Sequence, residues 1–280
     1  MSELKISILL ATYNGEKYLS QQIDSILTQS NQNLQLLIRD DGSTDQTVKI
    51  IEDYAAKHTD KIELIKDDSG HLGLTENFAR LLEHAKSSYI MFCDQDDVWL
   101  PNKIEITLNL MKSAEAIYPD KPILVHTDLK IVDSNLKPIA ESMWFHQRIN
   151  PIISNSLYKI MAKNIVTGCT MMINKKARDI CLPVPSVARV HDWWIAINVE
   201  KYGKIVSLSL PTVLYRQHRT NIIGTKSTEK LLIENIWGKI FHLKERLSNH
   251  FKMVKKIYPK VSLTWLLINM IRIKIARLLP

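Results

Sequence analysis

The first hundred residues alternate short apolar runs with stretches of helical periodicity, and this rhythm constrains the fold more than any other feature of the chain. Ile6, Ile8, Leu9 and Leu10 form an apolar run of buried-strand type that ends at Thr12-Tyr13-Asn14-Gly15. Leu19, Ile23, Ile26 and Leu27 then recur at i, i+4, i+7 and i+8, one face of a helix. A strand is expected over 35–40, then a turn at Asp41-Gly42-Ser43. The next helix has Ser43, Thr44 or Asp45 as its cap and Val48, Ile51 and Ala55 inward. A strand over 61–66, a helix over 74–84 and a strand over 89–93 lead to Asp94-Gln95-Asp96-Asp97.

Strands alternating with helices of this length pair in parallel through right-handed crossovers, which predicts an α/β fold with a mixed, mostly parallel central sheet flanked by helices. Ligands in such folds collect at the carboxyl ends of the strands. Pro101 suits the first turn of a helix reaching 116. The rhythm then loosens: strands are expected over 123–133, 168–174, 204–209 and 212–216, and a helix over 192–201. Between 135 and 163 lies a long, weakly patterned segment with Trp144, Phe145, His146 and Arg148, of the kind that serves as a lid or acceptor loop. The chain divides into a catalytic unit at 1–224 and a basic amphipathic helical segment at 225–280.

The net charge of +8 fits nucleic acid, an anionic membrane or phosphate-bearing substrates, and its location separates these. Lysines and arginines from Lys230 to Arg277 are interleaved with large aliphatics, a pattern that suits a helix lying on an anionic leaflet, or a helix pair packed against the catalytic unit or a second subunit, as in a homodimer. The aliphatic interleaving points away from nucleic acid. Arg272, Lys274 and Arg277 cut the apolar run at 261–270 short of the roughly 20 residues that span a bilayer. Cys93, Cys169 and Cys181 are odd in number without CxxC spacing, and the N-terminal apolar run is too short for a signal peptide. The expected location is therefore cytoplasmic, peripheral on the inner face of the membrane.

Three polar clusters end predicted parallel strands: Thr12-Tyr13-Asn14, Asp40-Asp41-Gly42-Ser43 and Asp94-Gln95-Asp96-Asp97. Each alone reads as a turn or a solvated loop; on one sheet they converge on one crevice. Carboxylates facing a diphosphate need a bridging divalent cation, Mn²⁺ or Mg²⁺, held by one or two carboxylates and phosphate oxygens.

With Ala11-Thr12-Tyr13-Asn14-Gly15, Asp40-Asp41-Gly42-Ser43-Thr44-Asp45 and Asp94-Gln95-Asp96-Asp97-Val98-Trp99 in this order, residues 5–224 resemble the family 2 glycosyltransferases with the GT-A (nucleotide-diphospho-sugar transferase) fold. The resemblance implies an inverting, metal-dependent transfer of a sugar from a nucleoside diphosphate to a glycan hydroxyl. It places Thr12, Tyr13 and Asp41 at the base, with Asn14 and Gln95 in the same donor-binding clusters. Asp94 falls at the ribose side and Asp96 on the metal. Asp192, within His191-Asp192-Trp193-Trp194, matches the family's general base; its alternative is a helix cap. His191 either binds acceptor and tunes Asp192 or is structural. Of Trp193 and Trp194, one is expected in the core and one as a sugar platform. Gly168-Cys169-Thr170 suits a floor under the sugar or a bulge. Arg216 could neutralise the diphosphate and His218 complete the metal shell, the alternative being a solvated loop.

The combination with Gly-Cys-Thr and Tyr-Arg-Gln-His resembles bacterial rhamnosyltransferases, which implies dTDP-L-rhamnose as donor and a lipid-linked or growing polysaccharide of capsule, O-antigen or wall as acceptor. UDP-hexose and UDP-N-acetylhexosamine donors stay open. A phosphotransfer enzyme lacks its Gly-rich GK[ST] loop here. The remaining class, a non-catalytic glycan-binding module, is disfavoured by the intact Asp94, Asp96 and Asp192.

Overall fold

The computed structural model describes residues 6–151, 156–218 and 236–276. β1 (Ile6–Thr12), β2 (Leu34–Asp40), β3 (Ile62–Leu64) and β4 (Tyr89–Cys93) pair in parallel in the order β3-β2-β1-β4, with α1 (Leu19–Leu27), α2 (Thr47–Lys57) and α3 (Leu74–His84) as crossovers. β4 leads through the acidic turn to the short β5 (Val98–Trp99) and then to α4 (Lys103–Ile117). The sheet continues with β8 (Met171–Asn174), antiparallel to both β4 and β6 (Ile123–Val132), and then β9 (Lys204–Arg216), parallel to β6. β5 closes that edge against β9, and β7 (Pro138–Ala140) pairs with β6. The mixed, mostly parallel α/β sheet expected from the alternation is thus present, with β5, β7 and β8 running against the rest.

β1 is buried along its whole length because both faces are covered. Ile6, Ile8 and Leu10 point into a core shared with α1, α2 and α4, whereas Leu9 and Ala11 point into a second core under α3 and α8 (His191–Tyr202). Leu19, Ile23 and Ile26 of α1 are fully buried, as their spacing predicts. In α2, Ile51 is buried and Val48 and Ala55 are half-buried; the cap position is Gln46, one residue past the three expected, although Asp45 accepts the Thr47 N–H at 3.0 Å.

Three expectations change. Residues 168–170 form a single 3-10 turn, and the strand begins at Met171, because the Gly168 N–H is drawn to a carboxylate across the cleft instead of a ladder partner. The strands expected over 204–209 and 212–216 are one bent strand, β9, whose register against β6 shifts near Asp128. The weakly patterned segment supplies β7, α5 (Met143–His146) and α6 (Leu157–Ala162). α7 (Lys175–Cys181) follows β8. α9 (Ile236–Ile257) packs on α8 and α10 (Leu263–Ala276) on α6, so helices do form the C-terminal segment. Its expected start at 224–225, with Asn221, Gly224, Lys226, Lys230 and Arg277, lies outside the described residues.

The turn between α8 and β9 has no room for a side chain: a Cβ at Gly203 would sit 1.8 Å from the Pro122 carbonyl oxygen, and that oxygen also accepts the Lys204 N–H. Gly203→Ala is expected to destabilise the chain by about 1–3 kcal/mol or more through this backbone clash. Thermal unfolding checks it, and an unchanged melting temperature would contradict the packing described.

Candidate active site

The acidic turn after β4 is held from beneath. Arg216, at the end of β9, donates its backbone N–H to Asp97 Oδ1 at 3.0 Å, and its guanidinium donates to the Asp96 carbonyl, the Ser134 carbonyl and Gln21 Oε1 at 2.7, 2.8 and 2.6 Å. The same guanidinium lies over the Tyr18 ring. Arg216 was expected to face the diphosphate; at 2% exposure, with these donors turned inward, it shapes the turn instead. The loss of water is offset by the three carbonyl-type acceptors, which fix the turn's backbone.

Carboxylates then crowd together. Asp97 is fully buried, and burial followed by the Asp96 and Asp94 charges pushes its carboxyl well above the ordinary range. Asp94 is pushed up to about 7 by burial, then by Asp96 and by Asp192. The turn after β4 and the start of α8 lie close together, because the consecutive residues Gly168 and Cys169 touch Asp192 and the Asp94–Asp97 pair respectively. The Cys169 thiol lies against Asp94 and Asp97, all three offering ligand atoms within 4.8 Å of one another. Lys103 is fully buried nearby, its Nζ 4.7 Å from the Trp99 ring and without a hydrogen-bond partner among the described residues; burial lowers it to about 8. Asp96 Oδ2 meets His218 Nε2 at 2.8 Å, so the two residues expected on the metal stand side by side.

Toward β1, Gln95 bridges to the loop that follows that strand: Gln95 Oε1 accepts the Tyr13 N–H and Gln95 Nε2 donates to the Tyr13 carbonyl, both at 2.9 Å. Gly15 is required there, because a Cβ would stand 2.3 Å from Gln95 Oε1. Asn14, with φ 48°, accepts the Thr44 N–H and receives Ser43 Oγ on its own N–H, tying the loop after β1 to the loop after β2. Thr12 Oγ1 donates to Asp40 Oδ1, and Asp40 also accepts the N–H groups of Gly42 and Ser43, so Asp40 is satisfied by its own turn.

Asp41 is buried, and both its oxygens are occupied: by the Leu72 and Gly73 N–H groups at 2.8 and 2.7 Å, by Arg39 at 3.1 Å and by His71 at 3.0 Å. It supports the 67–73 loop. That loop is further fixed by a two-pronged Arg39–Asp67 pair, whose hydrogen bond holds the Asp67 carboxyl well below the usual range. The loop brings forward His71, whose ring stands 4.7 Å from that of the exposed Tyr13. Sequence reading missed His71, since a lone histidine in a polar loop carries no pattern.

On the far side, Asp192 is the second residue of α8, not its cap, which is Val190. Asp192 Oδ2 accepts the Gly168 N–H at 3.1 Å and Oδ1 accepts Asn164 Nδ2 at 3.0 Å. Burial pushes it up to about 7 despite these bonds. Asn164 was missed because it lies 28 residues upstream, just past the weakly patterned segment and outside any motif. His191 resolves as a packing residue: it is buried against Phe78 and Phe92, its ring centroids 3.9 and 5.3 Å from theirs, and burial lowers it to about 3, hence neutral. Gly168 makes way for it, since a Cβ would lie 2.9 Å from His191 Nε2. Trp193 and Trp194 are both core residues, their indole N–H groups donating to the Ile160 and Cys181 carbonyls, so neither is a free platform. Two open depressions of about 910 and 770 Å³ surround α5, lined by Trp144, Phe145 and Ile149 among others and by none of the carboxylates of the cleft.

The carboxyls of Asp192 and Asp94 bind protons more tightly when folded, having risen from 3.8 to about 7. Their contribution to stability is complete below about pH 4 and is lost as pH rises through 7, because the unfolded chain then releases protons that the folded chain retains. In chelator, the melting temperature is expected to fall between pH 5 and 8, and to fall less in Asp192→Asn, by the equivalent of a few kcal/mol. An equal or steeper fall in the variant would contradict the buried carboxyl.

Residues 7–178 match the model of glycosyl transferase family 2. The chain is 29% identical over 246 residues to the dTDP-rhamnosyl transferase RfbG of Shigella flexneri, covering 81% of this chain and 80% of that one. Among solved structures, Staphylococcus aureus TarS 1–349 in complex with UDP-GlcNAc superposes with a TM-score of 0.56 at 21% identity, over 93% of this chain and 77% of that one; a longer TarS chain is covered over 37%. The mannosyltransferase PcManGT of Pyrobaculum calidifontis, in complex with GDP-Man and Mn²⁺, gives 0.59 at 15% identity, over 95% and 73%. These neighbours share the GT-A-like architecture of curled sheet and flanking helices. With the family model spanning more than half its length, this chain belongs to glycosyl transferase family 2.

Proposed function

We propose that the chain moves a sugar from a nucleoside diphosphate to a hydroxyl of a lipid-linked or growing bacterial polysaccharide, with inversion, and that the sugar is L-rhamnose from dTDP-L-rhamnose. The donor rests on the likeness to the dTDP-rhamnosyl transferase, which extends over four fifths of both chains. The chemistry rests on one observation: the Asp192 carboxylate, oriented by Gly168 and Asn164, is joined through the adjacent Cys169 to the Asp94–Asp97 turn, and burial raises its proton affinity.

In the proposed step, Asp192 takes the proton of the acceptor hydroxyl as that oxygen bonds to the anomeric carbon. The bond from that carbon to the diphosphate breaks, and the nucleoside diphosphate leaves from the opposite face. A base titrating near 7 is suited to neutral pH, where it is deprotonated yet still basic enough to accept a proton. Thr12, Tyr13, Asn14 and His71 form the nucleotide wall, which Gln95 and Asp41 hold in shape; Asp94 stands at the ribose.

Asp96 and His218 offer one carboxylate oxygen and one imidazole nitrogen at contact distance, a donor set that fits Mn²⁺ or Mg²⁺ completed by phosphate oxygens and water. Bound there, the cation would offset the charge growing on the diphosphate. The Asp94–Asp97–Cys169 group fits such an ion less well, because a buried thiol raised far above its ordinary range is neither hard nor ionised.

Asp192→Asn is expected to lower turnover by about 10²–10⁴-fold while leaving donor binding intact, measured by transfer assay and calorimetry. Retention of more than about a tenth of activity would remove Asp192 from the role of base. Wild-type kcat should rise with pH to a plateau above about 7, as the carboxyl ionises. A panel of dTDP- and UDP-sugars, each with and without Mn²⁺, tests the donor by thermal shift and hydrolysis. The dTDP-rhamnose response should exceed the others and vanish in Asp96→Ala; a preference for UDP-hexose or UDP-N-acetylhexosamine replaces the donor, and binding without hydrolysis or transfer supports a glycan-binding module.

A further inference from the structure

All of the chain's excess charge sits in one segment. Residues 236–276 hold nine Lys and Arg and a single carboxylate, Glu245, whereas the rest of the chain holds 28 of each sign. On these helices Lys252, Lys255, Lys256, Lys260 and Arg272 are exposed.

α10 adds an uncovered apolar strip. Leu266 is buried, and Trp265 rests against Tyr158 of α6 with ring centroids 5.4 Å apart. Away from that contact Ile268, Ile271 and Ile275 are 44%, 58% and 51% exposed, and their i, i+3, i+7 spacing puts them on one face with Arg272 at its edge. Fourteen residues extend about 21 Å, against the roughly 30 Å of a hydrocarbon core. No helix among the described residues is long and apolar enough to cross a membrane. Exposed isoleucines edged by Arg272, on a helix too short to span within a segment that holds nine cations and one carboxylate, match a surface that lies in a lipid interface. A second copy docked symmetrically on the same face would bring two strongly basic segments together, and the remainder of the chain is neutral.

We propose that α10 lies flat on an anionic lipid surface, with Ile268, Ile271 and Ile275 seated below the headgroups, Arg272 at phosphate level and the exposed lysines of the same basic segment drawing it to the lipid charge. The helix pair is fastened to the elements that carry Asp192. The His250 ring stacks on Trp193 with centroids 4.1 Å apart and its Nε2 meets the Met161 carbonyl at 2.8 Å, while Lys201 Nζ donates to the Ile257 carbonyl at 2.7 Å. Docking therefore fixes how the cleft stands relative to the bilayer. The inference is independent of which sugar is transferred.

The test is co-sedimentation of the full chain with vesicles of phosphatidylglycerol and phosphatidylcholine, or of phosphatidylcholine alone. Binding is expected only with the anionic lipid and should weaken as salt is raised. Ile271→Ser with Ile275→Ser, and separately Lys260→Glu with Arg272→Glu, should each reduce partitioning on the order of tenfold or more with melting temperature and metal-dependent donor hydrolysis unchanged. Equal binding to neutral vesicles, no binding to anionic ones, or a concentration-dependent dimer dissolved by the isoleucine variant would each overturn the proposal. Donor hydrolysis, read on the same samples, fails or persists separately from vesicle binding.

Discussion

The site depends on holding mutually repelling carboxylates in one place. Asp94, Asp96 and Asp97 leave the end of one strand and Asp192 stands at the start of a helix nearby, so burial and then the neighbouring carboxylates raise the proton affinity of Asp94 and Asp97, while burial raises that of Asp192. Backbone and side-chain donors resist this: Arg216 secures the turn and Gly168 with Asn164 secures Asp192. Two of the four carboxyls reach about 7, which leaves the cleft sensitive to protons in the range where the chain works and receptive to any cation that relieves the repulsion.

The sheet makes this convergence possible. β1 and β4 are parallel neighbours, so their polar ends lie side by side, and Gln95 stitches them with an amide pair that mimics one more ladder step. β8 enters antiparallel beside β4, and the turn that precedes it therefore arrives at the same end of the sheet. One residue of that turn, Gly168, bonds Asp192; the next, Cys169, touches the acidic turn. A small residue is needed at 168, because His191 occupies the space a side chain would take.

Much of this was legible beforehand, for a common reason. Strand and helix periodicities report which face is buried, and here both strand faces and the inner helix faces are apolar, so β1, α1, α3 and β4 could be read directly from the placement of Ile, Leu and Phe. Polar clusters at strand ends stood out against that background. The roles within them were less visible. Asp41 and Arg216 look like ligand contacts in a sequence, yet most of their partners are groups 30 or more residues away, many of them backbone, and their bonds face inward. His191, Trp193 and Trp194 pack for the same reason: a helix start exposes nothing when three other elements cover it.

The sequence by itself determined the order of elements, the parallel sheet and the three acidic or polar turns, since these follow from local periodicity and residue chemistry. Only the tertiary structure decided which groups face the cleft and with what proton affinity. That outcome depends on the reversed direction of β8, on Asn164 reaching Asp192 from outside any motif, and on how much water each carboxyl retains. Burial and charge proximity are properties of three-dimensional neighbours, and no spacing along a chain encodes them.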